Sequence, residues 1–167
     1  MIVTDFDRLP AAHPKKKEMT RTVRVMLVDD FQPWRGFVAA LLQNNPEWEI
    51  VSEVSDGLEA IQKAEQLQPD LILLDIGLPK LSGIEAAPSI RKVAPGSKIL
   101  FLSENRDSDV AAAALSAGGR GYVVKSDSEN ELLVAIEAVL QGRRFVSSTF
   151  NGFDFTTAAW RSTDEMR

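Results

Sequence analysis

Three acids, a hydroxyl and an amine stand where apolar runs of this chain end. Asp29 and Asp30 follow "VRVMLV", Asp75 closes "DLILLD", Ser103 closes "KILFLS" and Lys125 closes "GYVVK". Clustered carboxylates repel one another unless a cation neutralises them. Hard oxygen donors suit Mg²⁺, which takes one or two carboxylates, several waters and a phosphate oxygen. A carboxylate can also attack phosphorus and form an aspartyl phosphate. That transfer depends on an in-line approach and on positive charge at the phosphoryl oxygens, which a metal and a lysine supply. Asp75 is the candidate nucleophile. Asp29 and Asp30, with Asp75, are the candidate metal ligands. Lys125 is placed to pair with the phosphoryl group and Ser103 to hydrogen-bond it.

Each residue taken alone has a plainer reading. An aspartate after a strand is often a turn former. An Asp-Asp pair opening a helix is commonly an N-cap. A single Lys or Ser after a strand is usually solvated, and Tyr122 in "GYVV" reads as a half-buried core aromatic. The signal is that all four strand ends carry such a group. Ligands of open α/β sheets bind outside the carboxyl ends of the strands.

The elements that must hold these residues can be read from periodicity. "VRVMLV", "WEIVSEV", "DLILLD", "SKILFLS" and "RGYVVK" are short, apolar and β-branched, as buried strands are. Helical patterns separate them. In "QPWRGFVAALLQNN", Trp34, Phe37, Val38, Leu41 and Leu42 share one face, and Pro33 suits a first turn. "DGLEAIQKAEQLQ" is amphipathic and stopped by Pro69. "GIEAAPSIRKV" holds Pro88, which should kink that helix or delay its start. "DSDVAAAALSAG" closes at Gly118-Gly119. "DSENELLVAIEAVLQG" has Asp127 or Ser128 as its cap and Gly142 as its end. Five alternations of strand and helix predict a five-stranded, doubly wound parallel α/β sheet of order 2-1-3-4-5. In that order the ends of strands one and three are neighbours.

The flanks differ. Residues 1–21 are polar and basic without periodicity, and read as a disordered tail. Residues 22–145 hold the alternation. Residues 146–167 add Phe150, Phe153, Phe155 and Trp160 among polar residues. Such a segment docks a partner or second subunit, packs back on its own domain, or is a disordered remnant of a linker.

Composition excludes several classes. The 167 residues contain no cysteine, so disulfides, thiolate chemistry and Cys-ligated zinc are out. The only histidine, His13, lies in the polar amino-terminal stretch and reads as solvated. The net charge of -5 argues against direct nucleic-acid binding, which leaves a basic footprint. No apolar run reaches the roughly 20 residues that span a bilayer, and no signal-peptide pattern opens the chain. The expected location is the cytoplasm.

The stretches "VMLVDD", "PDLILLDIGLPKLSGIEAA", "KILFLSEN" and "SAGGRGYVVKSD" resemble the receiver domain of two-component response regulators, over roughly Thr22 to Phe145. The wording is most similar to the NarL/FixJ-like branch. The resemblance implies a flavodoxin-like, CheY-like fold and a Mg²⁺-dependent phosphoryl group on Asp75, delivered by a sensor histidine kinase or phosphotransfer protein. It also implies an acid pair at Asp29 and Asp30, switch residues at Ser103 and Tyr122, the site lysine at Lys125, and a possible homodimer. In the family, the side chains two residues after the acceptor and after the switch hydroxyl tune autodephosphorylation; here they are Gly77 and Asn105. The expected output is a change in the face built from helix four, strand five and helix five, with Tyr122 turning inward as Ser103 moves toward the phosphoryl group. Ser126 stands where the family often has proline. A DNA-binding helix-turn-helix needs about 60 residues, more than follow Phe145, so the expectation is a receiver without that domain. The alternatives are a truncated NarL-like regulator, a pseudo-receiver that never takes phosphate, which the presence of all five site residues counts against, or a Mg²⁺ phosphohydrolase. Gly77 counts against the last, because such enzymes often carry a second carboxylate there for acid-base work.

Overall fold

The structure is a computed structural model and describes residues 21–156. His13, Trp160 and nearly all of the expected amino-terminal tail lie outside that range. Arg21, the last residue of the tail, pairs with Asp70 at 2.8 Å.

Strands β1 (Val23–Val28), β2 (Trp48–Val54), β3 (Leu71–Asp75), β4 (Lys98–Ser103) and β5 (Gly121–Val124) run parallel in the expected order 2-1-3-4-5. A two-residue β6 (Phe145–Val146), which periodicity did not reveal, pairs parallel to β5 and extends the sheet. Helices α1 (Gln32–Gln43), α2 (Gly57–Leu67), α3 (Gly83–Val93), α4 (Ser108–Ser116) and α5 (Ser128–Leu140) cover the two faces.

Alternation along the strands assigns each side chain to a face. Val25, Leu27, Leu71, Leu73, Leu100, Leu102 and Val123 pack with Val38 and Leu42 of α1 and with Leu132, Ile136 and Val139 of α5. Met26, Val28, Ile72, Leu74, Ile99, Phe101, Tyr122 and Val124 face the alanine-rich α2, α3 and α4. Small helix residues such as Ala60, Ala64, Ala86 and Ala87 let those helices lie close on the sheet. Every residue of β3 is buried, Asp75 included, so the strand delivers its aspartate from inside the protein.

The helix starts are specified locally. Asp56 caps α2 by accepting from the Glu59 amide at 2.8 Å. Ser82 and Glu85 form a reciprocal capping box on α3. That box fixes the start of α3 at Gly83, so Pro88 does not push it later. Pro88 sits on the exposed side of one continuous helix, where water can serve the carbonyl its missing N–H leaves free. For α5 the expected side-chain cap is absent. The Asp127 carboxylate instead accepts from the Thr149 hydroxyl at 2.6 Å.

Candidate functional site

The carboxyl edge of the sheet brings the five singled-out residues together. Asp29 follows β1 and is 1% exposed. Its Oδ1 accepts from the Phe31 amide at 2.9 Å, and its carbonyl accepts from the Arg35 guanidinium at 2.6 Å. The turn-forming role and the site role therefore coexist in one residue, since Oδ2 remains for the site. Asp30 is exposed at the mouth. Asp75 ends β3, and its Oδ1 accepts from the Ile76 amide at 2.9 Å. The chain returns past it at Gly83, where a Cβ would lie 2.1 Å from the Asp75 carbonyl oxygen. Only glycine permits that approach.

Lys125 opens a 3-10 turn (Lys125–Asp127) between β5 and α5. Its Nζ lies 2.6 Å from Asp29 Oδ2 and 3.5 Å from Asp75 Oδ1. The Trp34 ring lies beside it, with its centroid 5.1 Å from Nζ. Ser103 ends β4 and is 5% exposed. Its Oγ accepts from the Asn105 amide at 3.1 Å. These groups line an open cleft of about 610 Å³, with Gly77 at its rim.

The electrostatics are unbalanced. One ligand oxygen from each of Asp29, Asp30 and Asp75 can be chosen so that all lie within 4.8 Å of one another, while one lysine faces them. Burial, and then the Asp29 charge, raise the Asp75 pKa from 3.8 to about 6; the Lys125 charge and the Ile76 N–H pull the other way without cancelling the rise. Hard carboxylate oxygens, crowded and under-neutralised, are the donor set that fits a small divalent cation such as Mg²⁺.

Residues 25–137 match the family described as the response regulator receiver domain. The chain belongs to that family. It is 33% identical over 124 residues to the transcriptional regulatory protein DegU of Brevibacillus brevis, covering 74% of this chain and 52% of DegU. A putative transcriptional regulator of Pseudomonas aeruginosa is 37% identical over 143 residues, 86% of this chain and 64% of that protein. Among solved structures, a LuxR-family response regulator from Aurantimonas sp. SI85-9A1 shares 38% identity at a TM-score of 0.73, over 76% of this chain and 91% of that one. The response regulator domain of Thermotoga maritima CheB shares 30% identity at a TM-score of 0.67, over 72% and 98%. The chain thus spans between 52% and 64% of the length of these two curated relatives. It carries a receiver, a signalling domain of two-component systems rather than a classical enzyme. Domains of this family bind Mg²⁺ at an acidic pocket and are phosphorylated by histidine kinases.

Tyr122 of this receiver differs from expectation. It is fully buried, its hydroxyl donates to the Asn105 carbonyl at 2.8 Å, and burial pushes its phenol pKa up. In this structure the ring points inward. Two further residues contribute that the sequence pattern does not mark. Periodicity puts Trp34 on a helix face, and its place in the first turn after the acid pair brings it near the strand ends. Phe150, one of the tail aromatics, packs edge-on against Tyr122 with centroids 5.6 Å apart. No described helix is long and apolar enough to cross a membrane.

Proposed function

We propose that this receiver accepts a phosphoryl group on Asp75. The observation that supports this most is the convergence of three carboxylates and one ammonium at the sheet edge: acid oxygens within 4.8 Å of each other, and Lys125 Nζ at 2.6 and 3.5 Å from two of them. In the transfer, an Asp75 carboxylate oxygen forms a bond to phosphorus as the bond from phosphorus to the donor breaks. With a phosphohistidine donor that bond is P–N, and the imidazole leaves with the electron pair and takes a proton. Asp29, Asp30 and Asp75 would hold Mg²⁺, which supplies positive charge to the phosphoryl oxygens. Lys125 exchanges part of its contact with Asp29 for a phosphoryl oxygen. Ser103, now accepting from Asn105, turns its hydroxyl toward another.

The donor is a sensor histidine kinase or phosphotransfer protein, and the setting is the cytoplasm. Loss of the phosphoryl group by hydrolysis at the same site is the only turnover proposed. Gly77 offers no carboxylate at its position, and Glu104 and Asn105 are polar side chains that also line the cleft. A second reading is favoured by the relatives' lengths and names: the receiver portion of a transcriptional regulator, acting as a homodimer or through a DNA-binding part. The coding sequence downstream of Arg167 decides between these outputs.

The test is intact-protein mass after incubation with acetyl phosphate and Mg²⁺, for wild type and Asp75→Asn, with sedimentation of the same samples. A single phosphoryl adduct on wild type alone supports the reading, and a shift in sedimentation with it adds assembly as an output. An equal adduct on Asp75→Asn would sink Asp75 as the acceptor.

A further inference from the structure

Residues 145–155 form a strap along the free edge of β5, tied both to the backbone beside Tyr122 and to the start of α5. The Ser147 amide donates to the Tyr122 carbonyl at 2.9 Å, and the Ser147 hydroxyl accepts from the Val124 amide at 2.8 Å. One serine therefore ties the backbone on both sides of the tyrosine's neighbour. The strap can lie this close because position 121 is glycine: a Cβ there would be 2.8 Å from the Phe145 carbonyl oxygen. Beyond Ser147, the Ser148 amide and hydroxyl both donate to Glu131 Oε1, at 3.0 and 2.6 Å, and Thr149 reaches Asp127. The chain then turns so that Phe150, 7% exposed, meets the Tyr122 ring at 78°. Phe155, also 7% exposed, backs Phe150 at 5.8 Å and 85°.

Tyr122 is thus closed on three sides: its backbone by Ser147, its ring by Phe150, its hydroxyl by the Asn105 carbonyl. An outward swing would expose a whole aromatic ring, strip Phe150 of one of its two ring contacts and break the Asn105 bond. The Asn105 side of this enclosure belongs to the cleft, while the Ser147 and Phe150 sides lie outside it.

We propose that residues 145–155 are an intramolecular clamp that fixes Tyr122 in its buried position whatever the state of Asp75, with Phe150 as the positioning residue. The clamp occupies the β5 edge itself, so that edge is not open for a partner in the intact chain. The phosphorylation-dependent half of this statement rests on the reading of Asp75 as acceptor; the clamp itself does not.

Tyr122 is the only tyrosine in the chain, so 3-fluorotyrosine incorporation gives one ¹⁹F resonance from this residue alone. The experiment compares full-length wild type, Phe150→Ala and Phe150→Leu, each with and without acetyl phosphate and Mg²⁺. The readout is the H₂O-to-D₂O isotope shift, large for an exposed ring and absent for a buried one. Intact mass on the same tubes reports the adduct, and circular dichroism reports folding. In wild type we expect no isotope shift before or after the phosphodonor. In Phe150→Ala we expect a solvent-sensitive resonance whose population changes with the adduct, and in Phe150→Leu a return toward wild type. The clamp is overturned if the wild-type resonance is solvent-sensitive, if phosphorylation alone exposes it, or if Phe150→Ala matches wild type. Should Phe150→Ala not fold, Ser147→Ala takes its place under the same criteria. A missing adduct would count against Asp75 as acceptor, while the comparison of unphosphorylated wild type with Phe150→Ala would still decide the clamp.

Discussion

The two surroundings of β5 are built on opposite principles. Where the strand ends, Lys125 faces Asp29 and Asp75 in a pocket with more negative charge than it can neutralise, and Asp75 is held at a pKa of about 6. Along the strand's edge, the strap satisfies backbone amide, carbonyl and ring at once. A site that is to bind a cation and receive a phosphoryl group must leave electrostatic free energy unspent until they arrive. A structural edge has no such reason, and an unpaired strand edge invites unwanted pairing. Mutations in the two regions should therefore move stability in opposite directions.

The largest effect is expected in the strap. Phe150→Ala removes a buried ring packed against Tyr122 and Phe155, and Phe-to-Ala changes in cores cost about 3–5 kcal/mol. At the domain's edge, where neighbours can relax, a loss of about 3 kcal/mol is expected from urea unfolding, and less for Phe150→Leu. Next in size is a gain. A folded-state pKa of about 6 for Asp75, against 3.8 ordinarily, means the folded protein holds the proton more tightly. The stabilisation from the protonated form is fully present below pH 3.8 and is lost as pH rises through 6. Asp75→Asn, which keeps the shape without the charge, should be more stable than wild type above pH 6 by at most about 3 kcal/mol. The gain should fade toward pH 4 and shrink when Mg²⁺ is added to the wild type. If both mutants lose stability equally at pH 8, the contrast between the regions is wrong.

How far the sequence reached follows the same division. The strand ends were legible because each of the five groups follows an apolar run, and strand order brings Asp29 and Asp75 side by side without further knowledge. The five strands emerged for the same reason, since buried parallel strands carry continuous apolar runs, and their order followed from the right-handed crossovers and common orders of doubly wound sheets. The strap was not legible. β6 is two residues long, too short to show a period, and its pairing is carried by main chain and by Ser147, whose type signals nothing. Phe150 and Phe155 have the composition of an interaction segment whether their partner is another protein or their own β5. Pro88 does not delay the start of α3, because the Ser82–Glu85 capping box fixes it at Gly83.

A smaller loss separates hydrogen bonding from ring packing within the strap. Ser147→Ala leaves the Val124 amide without its acceptor inside the protein. An orphaned buried donor costs about 1–3 kcal/mol, so a loss of about 1–2 kcal/mol is expected in the same urea series. A change within error would mean that the rings alone hold the strap.

The smallest effect concerns the pocket and should be kinetic. Trp34 stands with its ring centroid 5.1 Å from Lys125 Nζ, within the range where an ammonium is attracted to an aromatic face. Lys125 is also held by Asp29 at 2.6 Å, so losing the ring should not release it but widen its positions. Such contacts are worth about 0.5–2 kcal/mol, and a tenfold rate change corresponds to about 1.4 kcal/mol. Trp34→Leu, which keeps bulk but not the π face, should therefore slow adduct formation from acetyl phosphate by about two- to tenfold, and Trp34→Phe by less. The effect should vanish when Lys125 is already methionine, because the ring then has no charge to hold. Equal slowing by Trp34→Leu in the presence and absence of the lysine would assign Trp34 to packing of α1, and the pocket's imbalance would then rest on Asp29, Asp75 and Lys125 alone.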